Sequence, residues 1–112
     1  MRLPFITSLL LLLAFNLQAF QSTGTINGYV RDARTQESIP GATVILQETQ
    51  LGAITDADGY FSIKNVPTET YAIQVSFVGY ETEVRFGVVV RSGGTPDLNF
   101  ELKESVEELE EV

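Results

Sequence analysis

The sequence contains no cysteine, no histidine and no tryptophan. Without His and Cys it cannot build a Ser-His-Asp triad, a Cys-His nucleophile pair or a zinc site with the usual nitrogen and sulfur ligands. The absence of Cys also excludes a disulfide-stapled domain and a lipid-modified cysteine at the start of an exported chain. These absences argue against an enzyme, and we expect no cofactor.

Positive charge is scarce as well. Seven Lys and Arg stand against fifteen Asp and Glu, which gives a formal net charge of −8 over 112 residues. Nucleic acid and anionic lipid are themselves polyanions, so neither is an expected partner. The composition leaves a small acidic binding or structural module.

The first 19 residues have the pattern of a secretory signal peptide. Arg2 supplies a positive start, an almost unbroken apolar run covers 6–17, and small Ala19 closes the run. Cleavage is predicted between Ala19 and Phe20. The competing interpretation is a membrane anchor, but polar residues interrupt this stretch, which falls short of the roughly 20 apolar residues that a span requires. We therefore expect an exported protein.

Residues 20–103 show an all-β pattern, in which β-branched and aromatic runs alternate with Gly, Pro, Asp and Thr roughly every ten residues. Ile26, Gly28 and Val30 alternate with outward residues, which predicts a half-buried strand, and the small Gly28 indicates close packing. Further strands are predicted at 42–47, 53–55, 60–64, 71–78, 80–86 and 98–102, with 88–90 as an extension or a short edge. About seven short strands without a convincing helix predict a Greek-key β-sandwich of two sheets.

The segment 56–59 (DADG) has the residues of a tight hairpin turn between two of these strands. Asp56 and Asp58 also match the opening of a calcium-binding loop. Phe61 and Ile63 occupy the positions where further oxygen ligands would follow, so the pair is a weak Ca²⁺ candidate and turn geometry is the favoured interpretation.

Aromatic side chains offer a second candidate site. A glycan-binding face could be formed by exposed tyrosines, of which the chain has four: Tyr29, Tyr60, Tyr71 and Tyr80. The competing interpretation is half-buried packing at strand positions, because Trp, the usual stacking residue, is absent. Lys64, Arg85 and Arg91 are too widely scattered in the sequence to predict an anion pocket.

Four ordered segments carry a family resemblance: 26–32 (INGYVRD), 39–44 (IPGATV), 52–61 (GAITDADGYF) and 75–80 (VSFVGY). Together they resemble the carboxypeptidase-regulatory-like domain over about residues 24–103. The resemblance implies a transthyretin-like (prealbumin-like) β-sandwich, which agrees with the strand pattern. It does not imply catalysis, because a zinc carboxypeptidase requires histidine ligands that this chain lacks.

Domains of this kind often follow the signal peptide of TonB-dependent outer-membrane receptors in Bacteroidetes, which implies a location in the periplasm or at the outer membrane. The acidic tail or linker, 104–112, resembles the lead-in to a TonB box, a segment that adds a strand to its partner. Its proposed partner-binding residues are Glu107, Glu108, Leu109, Glu110, Glu111 and Val112. Transport by this chain alone is excluded, because it has no series of ten-residue amphipathic strands to close a membrane barrel.

Three functions remain open from the sequence. The first is a non-catalytic accessory or interaction domain of the outer-membrane uptake machinery, as a stand-alone protein or a truncated receptor. It would contact a protein partner through strand edges, surface loops and the tail. The second is a carbohydrate-binding module that uses exposed tyrosines, and the third is a structural spacer.

Overall fold

The computed structural model describes residues 22–106, and all the regular secondary structure in this range is β-strand. The seven strands are β1 (Thr23–Asp32), β2 (Thr43–Leu46), β3 (Gly52–Ile54), β4 (Tyr60–Pro67), β5 (Thr70–Ser76), β6 (Glu83–Val89) and β7 (Leu98–Leu102). Within the same residues, no helix has the length and apolar character needed to cross a membrane. The predicted all-β class and number of strands are confirmed.

Two sheets form the sandwich. The three-stranded sheet has the order β4-β1-β7, and the four-stranded sheet has the order β3-β2-β5-β6. β1 runs antiparallel to β4 but parallel to β7. All pairs in the four-stranded sheet are antiparallel. The strand predicted at 71–78 corresponds to β5, which ends at Ser76 and lies in the interior of the four-stranded sheet.

The core lies between the sheets, because each strand turns alternate apolar residues inward. The largest fully buried side chains are Phe61, Phe100, Ile26, Leu46, Ile73, Leu102, Val30, Val44, Val66 and Val75. Gly28 is buried where β1 approaches β7. A Cβ atom at this position would meet the Leu98 carbonyl oxygen and come within 2.8 Å of Phe61 Cζ. The close packing predicted at Gly28 is confirmed.

The predicted hairpin at 56–59 is wrong in its strand pairing, although the tight turn exists. The Gly59 N–H donates to the Asp56 carbonyl over 2.9 Å, and Gly59 has a φ of 76°. However, β3 pairs with β2, while β4 pairs with β1 in the opposite sheet. The turn therefore carries the chain from one layer of the sandwich to the other. Local turn chemistry specifies the reversal but not which strands pair across it.

Candidate functional site

The two acidic residues proposed for calcium lie in this inter-sheet turn. Asp56 Oδ1 accepts hydrogen bonds from the backbone N–H groups of Asp58, at 2.9 Å, and Tyr60, at 3.0 Å. This side chain therefore holds the turn closed, in the manner of an Asx-turn. Within residues 22–106, no group of three or more Asp, Glu, His or Cys side chains is placed to hold a metal ion.

The four tyrosines do not share one face. Tyr29 and Tyr60 are cross-strand neighbours on the three-stranded sheet, with ring centroids 5.2 Å apart and ring planes 59° from parallel. Tyr71 is buried in the core side of β5 and donates its hydroxyl to the Pro67 carbonyl at 2.6 Å. The Tyr80 hydroxyl is bound to Asp32. The structure therefore brings together two of the four proposed residues.

Two further groups of proposed residues lie outside the described part of the chain. These are the signal cleavage position, Ala19 and Phe20, and the proposed partner-binding tail, 107–112. Both stay predictions.

The most distinctive surface is the outer face of the four-stranded sheet, which we call the outer face. Ile54 is 68% exposed, Phe86 76%, Val89 46% and Ile45 37%. Every outward-facing strand residue there is uncharged: Thr43, Ile45, Gly52, Ile54, Thr70, Ala72, Gln74, Ser76, Val84, Phe86 and Val89. Since 20% of the chain is charged, a whole sheet face without a charge is a departure from its average surface. Exposed apolar surface of this kind is typical of protein-contact sites.

The opposite side of the sandwich has a different character. The outward residues of the three-stranded sheet include Arg31, Lys64 and Glu101, and the Arg31 guanidinium lies 4.9 Å from the centre of the Tyr29 ring. Glu101 accepts a hydrogen bond from Gln36 Nε2 at 3.2 Å. This mixture of charges is ordinary solvated surface. The contrast singles out the outer face.

The edges of the two sheets obstruct backbone pairing with a partner. β3 has only three residues, β4 carries Lys64 and Pro67 with a register shift in its pairing with β1, and β6 has a bulge opposite the Tyr71–Ile73 step of β5. On β7, the Arg85 Nη2 atom donates to the Asn99 carbonyl at 2.8 Å. Short strands, charges, proline and bulges are the usual protections of an open edge. The structure therefore disfavours strand edges as the main contacts.

A hydrogen bond between Tyr80 and Asp32 fixes the segment that leads into β6. The Tyr80 hydroxyl donates to Asp32 Oδ2 at 2.7 Å, while Asp32 Oδ1 accepts from the N–H groups of Arg34 and Thr35. These donors, Tyr80 first, lower the pKa of Asp32 from 3.8 to about 2. The same bond raises the pKa of Tyr80 to about 12. The pair is a structural clamp, since the carboxylate accepts three hydrogen bonds from within the domain.

Sequence reasoning missed the residues of the outer face. In the strand predicted at 42–47, Ala42, Val44 and Leu46 face inward. Ile45 therefore faces outward, although its side chain is apolar. That mismatch was the available signal. Phe86 gave a misleading signal, because Val84 and Phe86 alternate with Glu83 and Arg85, a pattern that predicts inward apolar residues, whereas the structure turns Val84 and Phe86 outward.

The comparisons with known proteins agree with this architecture. The model of the CarboxypepD_reg-like domain family matches residues 26–112. The chain belongs to this family of regulatory-like domains, as the sequence resemblance suggests.

Two curated relatives are receptors. The chain is 35% identical over 107 residues to the TonB-dependent receptor SusC of Bacteroides thetaiotaomicron, an alignment that covers 93% of this chain and 10% of the receptor. It is 36% identical over 108 residues to the TonB-dependent receptor P39 of Formosa agariphila, covering 89% of this chain and 10% of that protein. The chain thus spans about a tenth of the length of the curated relatives it matches.

Solved structures share the fold. A chain of a type II cohesin–X-dockerin complex from Acetivibrio cellulolyticus is 30% identical, with a TM-score of 0.58 over 69% of this chain and 52% of that chain. The Bacillus anthracis TIE protein has a TM-score of 0.61 at 20% identity, over 74% of this chain and 17% of that protein, which is a likeness of fold alone.

Proposed function

We propose that this chain is a non-catalytic accessory domain of an outer-membrane uptake receptor and that it binds a protein partner through the outer face. The observation that carries the proposal is the uncharged outer face with its exposed Ile45, Ile54, Phe86 and Val89. The two receptor relatives support the context, because both match this chain over about a tenth of their own length. The domain then acts on the periplasmic side of the envelope.

The outer face carries two depressions that protruding side chains of a partner can enter. An open depression of about 620 Å³ lies over β2 and β3 and is lined by Ile45, Leu51 and Ile54 among others. A second one, of about 350 Å³, reaches from Ala72 to Phe86 and is bordered by Glu48 and Glu69. Apolar residues at the centre of a surface and charges at its rim are the usual anatomy of a protein interface.

The rim defines the chemistry of the partner. Glu48 and Glu69 lie at the same end of the outer face as Phe86. A partner with an apolar centre and Lys or Arg opposite these two carboxylates is electrostatically complementary to this surface. Because the sheet edges are obstructed, we assign the contact to side chains, and the proposed tail at 107–112 is a separate, second contact.

The test is a domain exchange. Residues 26–112 replace the matching segment of the Bacteroides thetaiotaomicron receptor SusC, and growth that depends on that receptor is measured. The exchanged receptor should support growth, because the family match covers this segment. Ile45→Lys with Ile54→Lys in the exchanged segment should reduce that growth, since two buried ammonium groups would oppose contact with an apolar partner surface.

The matched control adds the same two charges to the other side of the sandwich. Asn27→Lys and Asn99→Lys lie on the three-stranded sheet. If both double variants leave growth at the level of the parent, or reduce it equally at equal receptor abundance, the outer face is not the contact surface.

A glycan is the alternative partner, and Tyr29 with Tyr60 is the observation that favours it. The two rings are adjacent but tilted, and Arg31 already lies over Tyr29. A sugar would need both ring faces to be accessible from one direction. Titration with neutral oligosaccharides, read at these two residues, tests this alternative independently of the exchange experiment.

A further inference from the structure

A cavity of about 560 Å³ lies between the second half of β6 and the loop that precedes β7. Its apolar walls include Phe86, Val89, Pro96 and Leu98. Two of the seven Lys and Arg residues of the chain, Arg85 and Arg91, also line it, whereas no Asp or Glu does. Although Arg85 and Arg91 are separated in the sequence, the fold places both on this cavity.

Arg85 is held in place by groups outside the cavity. Its Nη2 atom donates to the Asn99 carbonyl at 2.8 Å, and its guanidinium carbon lies 4.2 Å from the centre of the Phe100 ring. A guanidinium has five N–H donors in a rigid plane, so one hydrogen bond leaves others for a ligand. The stacking fixes the orientation of this plane before any ligand binds.

The loop supplies an unpartnered polar atom. Thr95 Oγ1 is buried and has no hydrogen-bond partner among the described residues. A buried hydroxyl without a partner is unfavourable. This atom reaches a ligand in the cavity only after the Thr95 side chain rotates, because it has less than 1 Å² of accessible surface. The cavity volume of about 560 Å³ leaves room for a ligand.

We propose that this cavity binds a carboxylate carried on an apolar body. The arginines match the charge and planar shape of a carboxylate, the Thr95 hydroxyl offers a further donor once its side chain rotates toward the cavity, and the apolar walls cover the rest of the ligand. An acidic chain has few cations, so two arginines among the lining residues, with Asp97 in the loop outside the lining, favour an anion over a neutral ligand. The cavity shares Phe86 and Val89 with the outer face, but its charged residues, Arg85 and Arg91, take no part in the proposed protein contact, and the ligand proposed here does not depend on that contact.

The test is a titration of the purified chain, labelled with ¹⁵N, with phenylacetate and with its neutral analogue phenylacetamide. Phenylacetate should shift the amide signals of Gly87, Gly94 and Thr95, and phenylacetamide should bind roughly tenfold more weakly, because a hydrogen bond to a charged group is the stronger kind. Equal binding of the two probes, or no shift at these amides, would overturn the proposal.

Two variants of the cavity and one control separate binding from folding. Arg91→Gln should weaken phenylacetate roughly tenfold, and Thr95→Val should weaken it by a smaller factor, because each removes a donor. Arg34→Gln removes the same charge beside a different cavity, next to Lys103 and Glu104, and should have no effect. If Arg34→Gln weakens binding as much as Arg91→Gln, only the net charge matters and the site is refuted.

A second pair of probes distinguishes a peptide C-terminus from a free small acid as the source of the carboxylate. An acetylated tripeptide ending in Phe presents the same chemistry as a chain terminus, and its C-terminal amide is the control. Tighter binding of the acid peptide than of phenylacetate identifies a peptide terminus as the ligand class. Binding of phenylacetate alone identifies a free small acid.

Discussion

At some positions of this domain, the close approach of a neighbouring backbone restricts which residue type can be accommodated. Gly28 is the clearest case, because β1 and β7 come so near each other that a side chain at this position would meet the Leu98 carbonyl. The region around Gly93 is different, since an added Cβ would contact nothing within 4 Å. Two substitutions of the same kind should therefore differ strongly in effect.

Gly28→Ala should lower the free energy of unfolding by about 1–3 kcal/mol, the usual cost of forcing an extra carbon into a packed interior. Urea unfolding followed by tyrosine fluorescence measures the change. Gly93→Ala is the matched control and should leave the unfolding midpoint close to that of the parent. Equal midpoints for the two variants would contradict the packing at Gly28.

The carboxylate of Asp32 makes the free energy of unfolding depend on pH in the acid range. Its pKa is about 2 in the folded chain, against an ordinary 3.8, with the Tyr80 hydroxyl as the largest cause. The unfolded chain therefore takes up this proton first as the pH falls. The contribution of Asp32 is fully present above about pH 4 and is lost as the pH drops through about 2.

Asp32→Asn should flatten the dependence of the urea midpoint on pH between about 4 and 2, relative to the parent. Tyr80→Phe should flatten it in part, because the N–H donors of Arg34 and Thr35 remain. A parent-like slope in Asp32→Asn would show that other carboxylates govern this pH range.

At the scale of the strands, side-chain hydrogen bonds fasten the ends of β2 and β3. The buried Thr55 hydroxyl accepts from the Ala42 N–H at 2.8 Å and donates to the Ile39 carbonyl at 2.6 Å. Both partners precede β2, and Thr55 follows β3. The Thr55 hydroxyl thus links the segment before β2 to the end of β3 in the four-stranded sheet.

Thr55→Val should cost about 1–3 kcal/mol of unfolding free energy, because it leaves buried backbone groups without partners at nearly constant volume. Thr43→Val, on the half-exposed outer face of β2, removes a hydroxyl without this consequence. The thermal or urea midpoints of the two variants give the comparison, and a loss as large in Thr43→Val would contradict the role assigned to Thr55.

The bulge in β6 protects the edge of the four-stranded sheet. Gly87, with a φ of 70°, is the extra residue that interrupts the pairing of β6 with β5. Bulges of this kind discourage edge-to-edge association. Deletion of Gly87 should therefore increase self-association relative to the parent, as measured by sedimentation velocity over a range of concentrations. A deletion variant that associates no more than the parent would remove this role.

At the scale of the whole molecule, sequence pattern predicted the layers better than their connections. Alternation along 26–30 and 71–78 identified inward faces correctly, because a two-residue period depends only on local geometry. The pairing of β3 with β2, and not with β4, depends on which faces are buried together across long sequence separations. Residues at 56–59 carry no information about that choice.

The candidate sites divide in the same way, into sites marked by local sequence and sites formed by strands that are distant in sequence. Asp56 and Asp58 lie in a turn, as their local chemistry indicates. The outer face and the cavity beside Arg85 and Arg91 both arise from strands that are distant in sequence, so no local motif marks them. The Tyr29 and Tyr60 pair could be recovered only from the register of β1 against β4.

The central claim, that the outer face contacts a protein partner, is tested most directly by site-specific photo-cross-linking in the exchanged receptor. A photoreactive phenylalanine analogue replaces Ile54 on the outer face or Asn27 on the three-stranded sheet. We expect a discrete protein adduct from position 54 that Ile45→Lys abolishes, and none from position 27. An adduct from position 27 alone, or no adduct from either position, would contradict it.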